Sequence, residues 1–145
     1  MYFSNVFGLS FSFKLTIVTT LVSNIFLGMG TWTFFQILAW IVICLLTQCL
    51  IDLYRIFNRK PHIIVMAIFA FFMGYVFGFV VSLDKLMIGG PSLFIVYYSF
   101  GILFDTFHAV GNLFFYLLAA PILIRVLNKY IKIKQLKMSY LLAHF

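Results

Sequence analysis

The most informative part of this chain is FDTFHAVGNLFFYLLAAPILI, residues 104–124. It is a long apolar segment that carries three polar side chains near its start, Asp105, His108 and Asn112. On a helix, positions i, i+3 and i+7 share one face, so this spacing predicts a polar stripe at the start of a helix. Polar groups in a membrane usually face a bundle interior, a cavity or each other. The stripe therefore predicts either a ligand site or a hydrogen-bonded network that ties helices together.

The composition of the whole chain indicates that its solvent is a lipid bilayer. Of 145 residues, 65% are hydrophobic and only 9% are charged. A soluble domain of this length cannot bury so much apolar surface, because small domains bury only about two-thirds of their chain surface. The net charge of +7 is concentrated in short flanks beside the apolar segments, which is typical of a topology signal and not of nucleic-acid binding.

The apolar segments predict an all-α integral membrane protein. A spanning helix needs roughly 20 apolar residues. Four segments reach that length: Phe7 to Leu27, Phe34 to Leu53, His62 to Leu83 and Phe107 to Leu127. Residues 92–104 are too few to cross alone and follow the helix-breaking Gly89, Gly90 and Pro91, so we expect a short re-entrant or interfacial helix there. We expect one transmembrane domain over residues 1–130 and a basic tail over residues 131–145.

The basic residues predict the orientation of this bundle. Eight of the ten Lys and Arg residues lie either in the loop at Arg55 to Lys60 or in the segment from Arg125 to Lys137. With four spans, both places lie on one side, which the positive-inside rule makes cytoplasmic. We therefore expect a cytoplasmic C-terminus in a multi-pass protein of the cell membrane, with the polar stripe starting at the outer face.

Other candidate residues lie near the predicted outer ends of the spans. Asn24 would need hydrogen-bond partners once it is desolvated, and tying helices together is the alternative to a binding role. Trp32 is placed at an interface, where Trp is common anyway. Gln36 and Trp40 share a helix face, where a ring beside an amide can stack and hydrogen-bond a flat ligand.

The third span carries Ala70, Gly74 and Gly78 at intervals of four residues. Small residues at that spacing let two helices approach closely, so this face predicts helix packing. Templates for catalysis and metal binding are missing, since the three His residues fall in separate regions and no nucleophile motif, acid pair or nucleotide fingerprint occurs. We expect no enzyme activity, metal or cofactor on this chain.

Two stretches together resemble one family. LVSNIFLGMGTWTFFQILAW (residues 21–40) and FDTFHAVGNLFFYLLAAPILIRVLNKY (residues 104–130) resemble the S component, the substrate-binding membrane subunit, of energy-coupling factor transporters. Members often show SNxxxGxGxWTxxQ early and DxxHAxGN before the last helix. The matching residues here are Ser23, Asn24, Gly28, Gly30, Trp32, Thr33 and Gln36, then Asp105, His108, Ala109, Gly111 and Asn112.

The resemblance implies a helical membrane protein that binds a vitamin-like micronutrient from outside. It also implies docking on a transmembrane coupling subunit driven by two ATPase subunits, which would use the ATP. The chain begins where the family's second helix should be ending, so we expect it to lack one or two N-terminal spans. The substrate-binding residues expected are Asn24, Trp32, Gln36, Trp40, Asp105, His108 and Asn112. The alternative is a non-transporting membrane scaffold, an accessory subunit or a degenerate fragment of such a transporter.

Overall fold

The structure, a computed structural model, describes residues 8–59 and 61–142, with side chains described up to residue 130. Three helices make up this part of the chain: α1 (Leu9–Leu27), α2 (Trp32–Ile56) and α3 (Ile63–Leu142). All three are long and apolar enough to cross a membrane. The chain is therefore all-helical over the described residues, and the coarse prediction of a helical membrane protein agrees with the structure.

Helix α1 shows a distribution of side chains that is inverted relative to a soluble protein. Its buried side chains are Ser12, Thr20 and Asn24, which are all polar. Its exposed side chains include Phe26 and Leu27, with at least 80% of their surface accessible. In water this arrangement would leave the apolar side chains exposed and would lose the stabilisation that their burial provides, whereas lipid tails solvate an apolar outer face favourably. The helix thus fits a bilayer.

Helix α2 lies at the centre of the bundle and packs against both α1 and α3. Its buried positions include Ala39, Ile43 and Thr47, which follow one another at intervals of four residues. The small Ala39 side chain is fully buried, which lets the neighbouring helices come close. Thr47 satisfies its hydroxyl within the helix by donating to the Ile43 carbonyl oxygen at 2.7 Å.

Helix α3 is two helical arms separated by a break at Gly90. The break residue has φ 72° and ψ −170°, a backbone conformation that only glycine adopts without strain. Pro91 follows, and its fixed φ suits the first turn of a new helix. We call residues 63–89 the first arm and residues 91–142 the second arm.

The two arms run antiparallel, so α3 is a helical hairpin. Lys85 Nζ lies 5.1 Å from the centre of the Tyr97 ring, close to the break. Farther away, the Tyr75 and Thr106 hydroxyl oxygens are 2.9 Å apart. Since Thr106 already donates its proton to the Ile102 carbonyl oxygen, Tyr75 must be the donor of that second bond. The farther a contact lies from Gly90, the larger is the sequence separation of the two residues that make it, and this pattern defines a hairpin.

For α3, the expected short helix and the expected helix start near Asp105 were wrong, and the expected number of spans is not confirmed. The short re-entrant or interfacial helix predicted for residues 92–104 was wrong as a separate element, because these residues form the beginning of a helix that continues through residues 107–127. Asp105 consequently lies within the second arm, 14 residues after Pro91, and not at the start of a helix. The count of four spans is not confirmed, since the predicted third and fourth spans belong to one helix broken at Gly90.

The small residues of the first arm form the contact between the two arms. A Cβ atom added to Gly74 would lie 2.8 Å from the Ala109 Cα atom, and one added to Gly78 would overlap the Asp105 carboxylate. Ala70 contributes its carbonyl oxygen, 3.5 Å from Asn112 Nδ2. The arms therefore touch nearly backbone to backbone, and this face packs within the chain.

The bundle has two chemically different ends. One end holds the turn between α1 and α2 (residues 28–31) and the break at Gly90, and we call it the glycine end. The Thr31 hydroxyl lies close to the Asp84 carboxylate there, which brings the two turns together. The opposite end holds the last turn of α2, with Arg55, and the loop that follows it, with Arg59, and we call it the basic end.

Candidate functional site

At the glycine end, α1 is joined to α2 by the side chain of Asn24, which is 3% exposed. Asn24 Nδ2 donates to Gln36 Oε1 at 2.7 Å and to Thr33 Oγ1 at 2.9 Å. The Thr33 hydroxyl also accepts from the Gly30 backbone N–H at 3.3 Å. A buried amide with two charge-neutral partners is satisfied inside the protein. Asn24 therefore supports Gln36, and in this conformation its amide N–H groups are already used.

The turn between α1 and α2 is shaped by glycines. Gly28 has φ 98°, which L side chains rarely adopt, and its N–H closes α1 by donating to the Asn24 carbonyl oxygen at 2.9 Å. The Trp32 ring lies over Gly30 so closely that a Cβ atom at that position would overlap it. The absence of a side chain at Gly30 thus lets the Trp32 ring pack onto the turn between α1 and α2.

A cavity of about 170 Å³ lies between α2 and the two arms of α3, and we call it the aromatic cavity. The rings of Trp40 and Phe77 are 5.1 Å apart, and Phe77 and His108 are 5.7 Å apart. These are ordinary aromatic contact distances. The full lining consists of Trp40, Ile43, Ala70, Met73, Phe77, His108, Asn112, Phe115 and Tyr116. Apolar walls with an imidazole and an amide match the usual make-up of a small-molecule site.

A second cavity of about 250 Å³ lies nearer the glycine end, and we call it the polar cavity. Its lining residues are Trp32, Gln36, Val81, Asp84, Lys85 and Tyr97. The Lys85 ammonium is 2.7 Å from Asp84 Oδ2, and the Asp84 side chain is almost fully buried. Lys85 also lies over the Tyr97 ring. The pair joins a buried carboxylate to a half-buried ammonium, and the ammonium has a further aromatic contact.

The two cavities follow one another along α2. Gln36 lines the polar cavity, and Trp40, one helical turn farther along, lines the aromatic cavity. On the first arm, Val81 and Phe77 are related in the same way. A small molecule that entered at the glycine end would meet the charged groups first and the aromatic walls about one turn deeper.

The predicted stripe on the second arm is divided by the structure. His108 and Asn112 both line the aromatic cavity. Asp105 lines neither cavity, because its carboxylate packs against Gly78 of the first arm and is 6% exposed. Within residues 8–59 and 61–130, no hydrogen bond or ion pair joins Asp105 to His108. From the sequence, an acid three residues before an imidazole on one helix face is also expected to orient or charge that imidazole; the structure shows no direct bond between Asp105 and His108, although the two groups attract each other electrostatically.

Sequence reasoning missed the acidic and basic pair of the polar cavity. Asp84 and Lys85 are adjacent charges that directly follow an apolar span, and this signal could have marked them. Tyr97, Phe77 and Tyr116 carry no such signal, since aromatic residues occur throughout this chain. Their place in a cavity depends on the register between the two arms.

Comparisons of this chain with family models, with curated proteins and with solved structures found no match. The resemblance to S components therefore stays a prediction, and the two cavities are the structural basis for a functional proposal.

Proposed function

We propose that this chain is the substrate-binding membrane subunit of an energy-coupling factor importer, which captures a small vitamin-like micronutrient. One observation carries the proposal. Five residues expected from sequence to bind substrate line two cavities that follow one another along α2: Trp32, Gln36, Trp40, His108 and Asn112. The full lining of the two cavities comes from three separate stretches, in α2 and in the two arms of α3, which converge as in a binding site.

The lining of the cavities supports a flat, polar substrate. In the aromatic cavity, a ring would stack against Trp40 or Phe77, while His108 and Asn112 supply hydrogen bonds. Its volume of about 170 Å³ is below the roughly 300 Å³ at which drug-sized pockets begin, so it suits a single ring. In the polar cavity, Asp84 and Lys85 would bind a charged or zwitterionic part of the same molecule.

The proposed orientation follows from the charges of the two ends. The glycine end, with both cavities near it, faces outward, and the basic end faces the cytoplasm, because Lys and Arg concentrate on the cytoplasmic side. This orientation requires four crossings, with each arm of α3 crossing once, and it places the C-terminus in the cytoplasm of a cell-membrane protein. The partners are a transmembrane coupling subunit and two ATPase subunits, which hydrolyse ATP, while lipid surrounds the chain.

The two tryptophans of the chain provide a direct test, because each lines a different cavity. The purified full chain in detergent would be titrated with a panel of water-soluble vitamins while Trp fluorescence is recorded. Trp32→Phe leaves Trp40 as the reporter of the aromatic cavity, and Trp40→Phe leaves Trp32 as the reporter of the polar cavity. A ligand bound as proposed changes the Trp40 signal in a saturable way.

His108→Ala is the matched variant for the same titration. It should weaken the saturable change at Trp40, because it removes a hydrogen-bonding group from the cavity wall. If no compound changes either signal at concentrations up to about 1 mM, which corresponds to a binding free energy of about −4 kcal/mol, the substrate-binding proposal is wrong.

A second candidate function, a non-transporting membrane scaffold or accessory subunit, is favoured by the internal polar contacts. Asn24 uses its N–H groups to hold α2, and Asp105 packs inside the hairpin. Such groups tie helices together without any ligand. Substitutions at Asn24 and Asp105 that lower stability, together with no saturable fluorescence change, would support this scaffold function over transport.

A further inference from the structure

A third cavity lies at the basic end, away from the two cavities near the glycine end. Its volume is about 490 Å³, larger than either of the others. Its lining residues are Leu50, Leu53, Tyr54, Phe57 and Arg59. Three of these five side chains are apolar, one is a phenol and one is a guanidinium. An apolar wall with a cation at one end suits a ligand that has both an anionic group and an apolar part.

The backbone fixes the position of Arg59 in this cavity. Asn58 adopts the left-handed conformation with φ 52°, and Asn is one of the few non-glycine residue types that tolerate it. The Arg59 N–H then donates to the Tyr54 carbonyl oxygen, and the Asn58 N–H donates to the Arg55 carbonyl oxygen, both at 2.9 Å. This pair of bonds is a Schellman motif, which ends α2 and turns the chain back on its last turn. Arg59 is therefore held beside Tyr54 by the helix end itself.

The charge of the cavity is unopposed by an acidic wall. None of its five lining residues is Asp or Glu. The nearest acidic residue along the helix, Asp52, is engaged elsewhere: its Oδ1 atom lies 3.1 Å from Arg55 Nη1 and accepts from Gln48 Nε2 at 2.9 Å. Arg55 in the last turn also offsets the negative end of the helix dipole. The site therefore favours an anion.

The depth of the cavity favours a lipid as the source of that anion. Leu53 and Phe57 are 51% and 67% exposed at the end of a membrane-crossing helix, where acyl chains meet headgroups. Tyr is enriched at this level because its ring is apolar and its hydroxyl is wet. A free phosphate ion would contact Arg59 but leave Leu50, Leu53 and Phe57 without an apolar partner.

We propose that this cavity binds an anionic phospholipid, with the headgroup phosphate on Arg59 and Tyr54 and an acyl chain along Leu50, Leu53 and Phe57. Arg binds phosphate through two parallel N–H donors, and basic pockets at the cytoplasmic membrane surface commonly bind anionic lipid headgroups. The assignment is independent of the transport proposal, because none of the five residues lines the other two cavities.

The test is a lipid titration of the full chain followed by native mass spectrometry. Phosphatidylglycerol and phosphatidylcholine with identical acyl chains are compared, and the apparent Kd of the first bound lipid is measured. Phosphatidylglycerol should bind the wild type at least about tenfold more tightly than phosphatidylcholine, because both carry the phosphate but phosphatidylcholine adds a cationic choline beside Arg59. Arg59→Gln should remove this preference. Arg125→Gln, which removes an exposed basic residue outside the cavity, should keep it.

Further arms of the experiment distinguish a lipid site from diffuse surface charge and from a site for free anions. Leu53→Asn should weaken the binding of both lipids while keeping the preference for phosphatidylglycerol, because the acyl-chain contact is common to both lipids and the headgroup contact stays in place. An unchanged SDS unfolding transition of each variant shows that it is folded. Equal losses in Arg59→Gln and Arg125→Gln would mean diffuse surface charge and would overturn the proposal. A different result is that inorganic phosphate displaces phosphatidylglycerol at concentrations near the Kd of phosphate itself, while Leu53→Asn leaves lipid binding unchanged. That result would overturn the proposal in favour of a site for free anions.

Discussion

Replacing Gly74 with Ala should separate the two arms of α3, because the methyl group has no space. Its Cβ atom would lie 2.8 Å from Ala109 Cα and 3.0 Å from both Ala109 Cβ and Ala109 N. Ordinary contact begins at 3.4 Å, so the arms must move apart by about 0.6 Å. Two of the three nearest atoms belong to the backbone, which cannot rotate away. We expect a loss of about 1–3 kcal/mol of unfolding free energy, as for other overpacked sites.

Gly101→Ala is the matched control, since it makes the same chemical change in the second arm. A Cβ atom at Gly101 would meet nothing within 4 Å. There the substitution should be neutral or stabilise the helix by up to about 1 kcal/mol, because Ala is the better helix former. The two variants are thus expected to differ in sign as well as in size.

The measurement is unfolding in mixed micelles with increasing SDS, followed by Trp fluorescence. Adding Ala109→Gly to Gly74→Ala should restore only part of the stability, because it removes the Ala109 Cβ contact and leaves the contacts with Cα and N. If Gly74→Ala is as stable as the wild type and as Gly101→Ala, the close contact between the arms is wrong.

Three further predictions address the network, the second arm and the topology. Asn24→Leu should lower the free energy of unfolding by about 1–3 kcal/mol, because Gln36 loses the donor 2.7 Å away. Gln36→Leu in the same background should restore part of this stability, and an unchanged SDS unfolding transition in Asn24→Leu would contradict the network. Asp105→Asn should lower stability more than ligand affinity, whereas His108→Ala should lower ligand affinity more than stability. SDS unfolding and Trp fluorescence titrations measure the two quantities, and a larger loss of affinity than of stability in Asp105→Asn would place Asp105 in the site. A cysteine at Ser139, in a background without the native cysteines, should resist impermeant thiol reagents applied from outside; labelling of intact cells would refute the cytoplasmic C-terminus.

The break at Gly90 was predictable from sequence, but its consequence was not. Gly89, Gly90 and Pro91 mark the place where the helix stops, and the structure breaks there. The segment after them was expected to be a short separate helix because residues 92–104 are too few to cross a membrane alone. The structure buries the Asp105 side chain against Gly78 of the opposite arm, so the helix continues through it. That accommodation depends on a residue 27 positions away in sequence, which no local pattern reveals.

The candidate site was also predictable only in part, because residue spacing shows which side chains share a face of one helix and nothing more. Gln36 and Trp40 were placed on one helix face by their spacing, and they line successive cavities. His108 and Asn112 also share a face and line one cavity together. Spacing along a helix cannot reveal which side chains of another helix lie opposite, so Asp84 and Lys85 were not recognised.

The amino-acid sequence alone was enough to predict an all-helical chain and the approximate positions of α1 and α2. Long apolar segments must form helices in lipid because each backbone N–H and C=O finds its partner four residues away, within the same segment. Only the tertiary structure decided the register of the hairpin, which depends on the contact of Gly74 with Ala109. That register sets which aromatic and charged side chains surround each cavity, because a rotation or slide of one arm would present a different face. The hydrogen bonds of a helix depend on residues close together in sequence, whereas the packing that forms the cavities depends on residues far apart in the chain.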